Sequence, residues 1–157
     1  MYSDPNSGYT LEIPGGWEFD ASFANGVATW DSRTIAWVSV YTDFVGRNLY
    51  PTTPHYTQDW TFAPNPLWTS FDITSENNFI FRTATDGQTS VRGHEFIFDF
   101  TLDGDLFEGA AHWFVVDGTF YEVFRAIPES IRQIEQYAAL DLLLRLTHVS
   151  FRPPPSN

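Results

Sequence analysis

The sequence predicts an α+β fold, in which an antiparallel β-sheet (a meander) carries a C-terminal helix on one face and a helical or irregular segment on the other. Two Asp-Gly pairs, Asp103-Gly104 and Asp117-Gly118, separate alternating runs between 91 and 126. An Asp-Gly pair between alternating runs is a strong hairpin signal, because a type I′ turn needs positive φ at both central residues. An apolar stripe at helical spacing follows this meander.

The alternation sorts the meander into two faces if Val116 pairs with Thr119 across the second turn. The expected core face carries Phe96, Phe98, Phe100, Leu102, Phe107, Gly109, Ala111, Trp113, Val115, Phe120, Phe124 and Ala126. The expected wetter face carries Glu95, Ile97, Asp99, Thr101, Glu108, Ala110, His112, Phe114, Tyr121, Val123 and Arg125. Because Gly109 and Ala111 are small, we expect another element to lie over them.

Composition limits both the size and the partners of the protein. The chain has 157 residues, 43% of them hydrophobic, so we expect a single domain over 1–157, with a folded core from 9 to 152 and loose termini. No cysteine is present, which excludes disulfides and cysteine-based sites. No run approaches the ~20 apolar residues of a membrane span.

The net charge is −12, and all eight basic residues are arginine. Such a field repels phosphate backbones and anionic lipid headgroups, which argues against nucleic-acid and polybasic membrane roles. A cationic partner, a metal ion or a neutral ligand remains open.

The N-terminal half predicts three strands and then an irregular region. Alternation favours strands at 9–13, 27–30 and 34–41, with a hairpin between the last two. Apolar residues on both faces of the third strand indicate a central strand that is covered twice. Prolines interrupt the pattern from 44 to 78, where only a short helix from Thr53 to about Phe62 fits.

The C-terminal half predicts another hairpin and one long helix. A third Asp-Gly pair, Asp86-Gly87, joins a strand at 79–85 to the meander. The helix runs from about 128 to 147, and we expect its apolar stripe to pack on the aromatic face of the meander. That stripe contains Ile131, Ile134, Ala138, Leu142 and Arg145 or Leu146, and Tyr137, Leu140 and Leu143 widen it. A short strand at 149–151 and an exposed polyproline-like tail complete the chain.

Both ends of the chain resemble the PsbP-like family. The matching stretches are G-Y-T-L-E-I-P-G-G-W at 8–17, V-R-G-H-E-F at 91–96, V-V-D-G-T-F-Y-E-V-F-R-A-I-P-E-S at 115–130, and S-F-R at 150–152. The resemblance implies the Mog/PsbP-like sandwich, an antiparallel sheet between helices, as found in small bacterial extracytoplasmic lipoproteins. It also implies a location outside the cytoplasm and a binding or accessory role without enzymatic activity. The Pro- and Trp-rich residues 51–68 depart from this pattern.

The first candidate site lies on the wetter face, where carboxylates and a histidine share neighbouring strands. Its members are Glu95, Asp99, Glu108, His112 and Arg125. A carboxylate pair with a histidine can bind a divalent cation or act as acid and base, and Asp99 and Glu108 are the metal candidates. The alternative interpretation is an ordinary charge-balanced surface, in which Arg125 offsets Asp99 and Glu108.

Other patterns with possible chemistry have simpler explanations. The acids of D-G-D-L-F-E at 103–108 lack the spacing of an EF-hand, and hairpin-turn chemistry explains Asp103. The histidines at 55, 94, 112 and 148 lack zinc-site spacing. Nucleophile-elbow, dinucleotide-binding and Walker A motifs are missing from the sequence. We therefore predict no cofactor.

Aromatic residues in the irregular region form the candidate binding surface. Trp60, Phe62, Trp68 and Phe71 lie there beside Tyr41, Tyr50 and Tyr56. Such a set either wraps over the sheet as a buried cover or grips a ligand or partner as a lid. The binding candidates are therefore Trp60, Phe62, Trp68, His112 and Tyr121.

The sequence thus predicts a non-enzymatic extracytoplasmic accessory or binding protein whose partner is a protein or small ligand. Its export signal, and any lipid anchor on a precursor, would lie outside these residues. The alternatives are a small hydrolase or isomerase that uses Asp99 or Glu108 with His112, and a divalent-cation module. A deep pocket at His112 would favour the enzyme, and a flat acidic face would favour binding.

Overall fold

A computed structural model describes residues 1–22, 26–44, 68–82 and 90–154, and its main element is a seven-stranded antiparallel sheet. The strands are β1 (Tyr2–Ser3), β2 (Thr10–Leu11), β3 (Glu18–Asp20), β4 (Gly26–Trp30), β5 (Trp37–Phe44), β6 (Trp68–Arg82), β7 (Ser90–Leu102), β8 (Asp105–Val116) and β9 (Thr119–Pro128). A 3₁₀ turn at Glu129–Ile131 and helix α1 (Tyr137–Val149) follow. The sheet order is β3-β4-β5-β9-β8-β7-β6, and β1 pairs with β2 separately.

Both predicted turns of the meander are confirmed. Asp103 and Gly104 have φ of 52° and 83°, and Asp117 and Gly118 have φ of 47° and 76°. Positive φ at both central residues is the requirement of a type I′ turn. Val116 pairs with Thr119 as predicted, so the grouping of side chains into two faces is correct. The face predicted to be wetter is nevertheless largely buried, because Ala110, His112, Phe114, Tyr121 and Val123 are each at most 3% exposed. The hairpin predicted at Asp86-Gly87 lies outside the described residues.

The small residues of β8 leave room for aromatic rings of the neighbouring strand β7. Phe98 pairs with Gly109, and a Cβ atom built on Gly109 would lie 2.6 Å from Cε2 of the Phe98 ring. Within the described residues, the group that lies over Gly109 is therefore a ring of the same sheet. A bulky ring fills the gap above the glycine in the adjacent strand, which keeps the aromatic face closely packed.

Strand β6 corrects the prediction of an irregular segment up to residue 78. It begins at Trp68 and pairs with β7 along its length, with register shifts between Trp68 and Ser70 and between Ile73 and Ser75. These bulges break the two-residue alternation, and the solvent-exposed Ser, Thr and Asn side chains of the strand carry no apolar signal. The helix predicted from Thr53 to Phe62 lies outside the described residues.

The chain ends are more ordered than predicted. Tyr2–Ser3 pairs with Thr10–Leu11, although residues 1–8 were expected to be loose. Thr10 also bridges Arg152, where the predicted final strand is reduced to this single bridge, and Pro153 is buried. Tyr9 packs on Phe151 with ring centroids 5.4 Å apart. Aromatic packing between the two ends therefore orders both of them.

Helix α1 lies on the face that was predicted to be wetter. The predicted packing of the helix on the aromatic face is therefore wrong. The buried Leu144 of α1 packs with Ala36, Val38 and Ile127, all on the side predicted to be wetter. The aromatic face instead forms a cluster of its own: Phe96, Phe98, Phe100, Phe107, Ala111, Trp113, Phe120, Phe124 and Ala126, against which Trp37, Tyr41, Trp68, Phe71, Leu102 and Val115 pack.

The helix is also shorter than predicted and is turned the other way. Pro128 ends β9, and α1 begins only at Tyr137. Within α1 the fully or nearly fully buried residues are Leu144, Thr147 and His148. Part of the predicted inward stripe faces solvent, since Leu142 is 58% and Leu146 55% exposed. Ile131, Tyr137 and Leu140 of that stripe do pack against the buried cluster that contains Leu144. Apolar periodicity located the helix correctly but gave the wrong buried face, because polar partners on the sheet select the side that carries His148.

Candidate functional site

A chain of four polar side chains connects the sheet to α1. Nε2 of His112 on β8 lies 2.7 Å from a carboxylate oxygen of Glu95 on β7. Nδ1 of His112 lies 2.8 Å from Nε2 of His148 on α1. Nδ1 of His148 in turn lies 3.4 Å from the guanidinium of Arg125 on β9. Cross-strand register brings Glu95 opposite His112, and helix docking adds His148.

The donors and acceptors of this chain match when both imidazoles are neutral. Arg125 can only donate, so Nδ1 of His148 accepts and its proton sits on Nε2. Nε2 of His148 then donates to Nδ1 of His112, and Nε2 of His112 donates to Glu95. A second proton on either ring would place two hydrogen-bond donors against each other, so the network fixes the tautomer of each histidine.

Burial also favours the neutral imidazoles. Burial lowers the pKa of His112, with the Arg125 cation acting in the same direction and the Glu95 carboxylate against it. Burial lowers the pKa of His148 well below its usual value, and His112, Arg125 and Arg145 add to the effect. His112 is 3% exposed and His148 is fully buried. The two buried imidazoles therefore connect the Arg125 guanidinium at one end to the partly exposed Glu95 carboxylate at the other.

The metal candidates Asp99 and Glu108 lie directly opposite each other on β7 and β8. Asp72 of β6 pairs with Asp99, so three carboxylates form a row across three adjacent strands. Glu108 is bound by Arg132 at 3.0 Å and is 3.9 Å from Arg145. Among the described residues, no group of three or more His, Asp and Glu side chains is arranged to hold a metal ion.

The acids of the first meander turn have a separate role. Asp105 accepts a hydrogen bond of 2.7 Å from the hydroxyl of Ser130, which follows β9. Asp103 is exposed at the turn, with the positive φ that the turn requires. These carboxylates therefore hold the turn and the start of the 3₁₀ segment and do not converge with Glu108 on one point.

The predicted binding residues lie on opposite sides of the sheet. Trp68 stacks on Phe100 of the aromatic face, with ring centroids 4.2 Å apart. His112 and Tyr121 lie on the other face, where Tyr121 is buried against Phe114 and Phe151. The structure therefore does not bring Trp68 together with His112 or Tyr121. Trp60 and Phe62 lie outside the described residues.

Neither a known protein family nor a curated protein matches the sequence. Among solved structures, the solution structure of cyanobacterial PsbP (CyanoP) from Synechocystis sp. PCC 6803 is similar, with a TM-score of 0.64 and 14% sequence identity. The match covers 97% of this chain and 90% of that chain. The chain has a PsbP-like fold. The resemblance drawn from the sequence motifs is thus confirmed at the level of the fold.

Within this PsbP-like fold, a second polar pair was missed by sequence reasoning. Nε1 of Trp113 donates a 2.7 Å hydrogen bond to the carboxylate of Glu122, its cross-strand partner. Burial raises the pKa of Glu122 to about 7, although the Trp113 N–H lowers it. The signal was present in the sequence, because Glu122 alternates with Phe120 and Phe124 and so belongs to the aromatic face.

Two other histidines, His148 and His94, make polar contacts that sequence spacing alone did not reveal. His148 suited the end of the helix dipole, and its contact with His112 depends on how α1 docks. His94 lies 2.6 Å from a carboxylate oxygen of Glu76 across β6 and β7, and its side chain is almost completely buried.

None of the helices within the described ranges has the length and apolar content of a membrane span.

Proposed function

We propose that this chain is a non-enzymatic accessory or binding protein of the PsbP-like type that acts outside the cytoplasm. The observation that carries this proposal is the closure of the histidine network. His112 was the strongest base candidate, yet both of its ring nitrogens are occupied and α1 covers it. A general base must reach the proton that it abstracts, and a base enclosed in this way has no path to a substrate.

A hydrolase or isomerase that uses a carboxylate with His112 is the competing function. Glu95 holds His112 in the geometry typical of a carboxylate–imidazole pair, but the next position in the chain is His148 and not a nucleophile or an open cleft. The arrangement favours a structural role for the pair, which is to attach the helix to the sheet. The Asp99 and Glu108 carboxylates lie farther along the same face.

The acidic row formed by Asp72, Asp99 and Glu108 supports a cationic partner. Like charges directly opposite each other in a sheet repel, and among the described residues Glu108 is the one member of this row that an arginine binds. A partner that presents Lys or Arg side chains would relieve the repulsion between Asp72 and Asp99. The net charge of −12 would steer such a partner over a longer range.

Binding to a basic protein tests the proposal, with a matched charge control. An arginine-rich peptide of defined sequence should bind the wild-type chain, and Asp72→Asn with Asp99→Asn should weaken binding about tenfold at low salt. Asp103→Asn with Asp117→Asn makes the same change in charge at two turns, where asparagine tolerates positive φ, and should have a smaller effect. If the two double variants weaken peptide binding equally, the acidic row is not the docking surface.

Activity and location are tested separately. Turnover of ester, amide or phosphoester substrates by the wild-type chain that disappears in His112→Gln would overturn the non-enzymatic assignment. Fractionation of the source cells, with N-terminal sequencing of the mature protein, should find the chain outside the cytoplasm. A cytoplasmic protein with an intact initiator methionine would contradict that part of the proposal.

A further inference from the structure

Helix α1 carries apolar residues on its outward face as well as on the face that packs on the sheet. Leu142, Leu143, Leu146 and Val149 are 58%, 37%, 55% and 48% exposed. The side toward the sheet carries the buried Leu144, Thr147 and His148, with Tyr137 and Leu140 partly buried beside them. A surface helix normally turns its apolar stripe to the core, so this outward stripe is left without an apolar neighbour within the described part of the chain.

The charge around the helix differs from that of the rest of the chain. Residues 125–152 contain four arginines and three acids, whereas the other 17 acids stand against four arginines. Arg132 and Arg145 also lie close to Glu108 of the sheet. The helix face is therefore the place where two copies of this acidic protein can approach with the least repulsion.

The ends of the stripe carry opposite charges. Glu135 is exposed just before α1 begins, and Arg152 follows its end. These two residues lie symmetrically about the centre of the helix, so an antiparallel copy places Glu135 of one chain beside Arg152 of the other. An arrangement that is complementary to itself about a two-fold axis is the requirement of an isologous dimer.

We propose that α1 is a self-association surface, which pairs antiparallel with α1 of a second copy and covers Leu142, Leu146 and Val149. A stripe of this kind offers on the order of 400 Å² of apolar surface. That is about half of the ~800 Å² that each partner of a stable complex buries, so the dimer is weak and reversible. Its dissociation constant is on the order of 100 μM.

Sedimentation velocity over a concentration series tests the proposal on the full chain. The wild-type chain should move from monomer to dimer between about 10 μM and 1 mM, and Leu142→Gln with Leu146→Gln should weaken dimerisation about 100-fold. Ile73→Gln is the control, because Ile73 is 44% exposed on the edge strand β6, opposite Phe98 of the aromatic face, whereas α1 lies on the other face of the sheet. A wild-type chain that stays monomeric, or a dimer that survives the double substitution, would overturn the proposal.

A charge exchange provides an independent test if the leucine variant does not fold. Glu135→Arg and Arg152→Glu should each weaken the dimer, and the double variant should recover it. Added salt should strengthen wild-type dimerisation, because it screens the repulsion between two chains of net charge −12. The antiparallel dimer would be refuted if the double variant dimerised more weakly than either single variant. It would also be refuted if the stripe bound neutral phosphatidylcholine vesicles in place of a second copy.

Discussion

Nε2 of His148 lies 2.8 Å from Nδ1 of His112, and this contact joins the terminal helix to the centre of the sheet. It pairs two imidazoles that are both neutral and both shielded from water. A buried polar network of this kind specifies one docking position for the helix, because any other position would break the hydrogen bonds that His148 makes with His112 and Arg125.

Stability should decrease below about pH 6.5 because of these two histidines. Their pKa values are lowered from 6.5 in the folded state, so the unfolded chain binds protons first. The contribution is complete above that pH and is lost as the pH falls, at up to about 1.4 kcal/mol per pH unit for each histidine. Urea unfolding at several pH values measures this slope.

The variant His148→Gln isolates the contribution of the helix histidine. Glutamine can donate to His112 and accept from Arg125, but it does not titrate. The free energy of unfolding of the variant should therefore depend less on pH than that of the wild type between about pH 5 and 6.5. If the two curves are parallel, His148 is not the group that responds to acid.

Glu122 should have the opposite dependence on pH. Its pKa of about 7 in the folded state exceeds its usual 4.5, so stability falls as the pH rises across that interval. Glu122→Gln keeps an acceptor for Trp113 and removes the charge. We expect the substitution to stabilise the fold by up to roughly 3 kcal/mol at about pH 8 and to have little effect near pH 4. Equal effects at both values would contradict the raised pKa.

Trp113 should be among the most costly side chains to truncate. It is 4% exposed, packs against Phe96 and Phe120, and donates to Glu122. Trp113→Ala should therefore cost about 3–5 kcal/mol in chemical denaturation. Trp113→Phe keeps much of the packing but leaves Glu122 without its donor, so its smaller cost should grow with pH. A loss below about 1 kcal/mol for alanine would mean that this face is not a core.

Added Ca²⁺ should leave the thermal midpoint unchanged. Glu108, one of the two metal candidates, is already bound by Arg132, and a cation would have to displace that arginine. Differential scanning fluorimetry with and without Ca²⁺ measures the shift that binding would produce. A Ca²⁺-dependent rise that disappears in Asp99→Asn with Glu108→Gln would establish the metal site.

Local chemistry in the sequence was enough to predict the meander, its register and its two faces. Asp-Gly turns and strict alternation act over a few residues, so Glu95 and His112 could be placed on one face before the structure was known. The docking of α1 could not be predicted, because part of the apolar stripe of the helix points away from the sheet. His148 joins the site only through a contact with a residue 36 positions away.

The same limit explains why the first part of β6, residues 68–78, was not predicted as a strand. Its two bulges shift the alternation, and its exposed polar side chains leave the backbone pairing with β7 as the main determinant of the strand. Backbone pairing has no signature in side-chain periodicity. The pairing of residues 79–82 with β7 was therefore predicted from the sequence, whereas the bulged first part of the same strand was not.

The bridge between Thr10 and Arg152 has a consequence for the order in which the fold can form. Two backbone hydrogen bonds, of 3.0 Å and 2.9 Å, join two segments that are far apart in the sequence. Tyr9 packs on Phe151 and belongs to the same buried cluster as Leu11, so this cluster is incomplete until both segments are in place. Closing so long a loop costs more entropy than closing a hairpin, so we expect this pairing to form after the hairpins of the sheet.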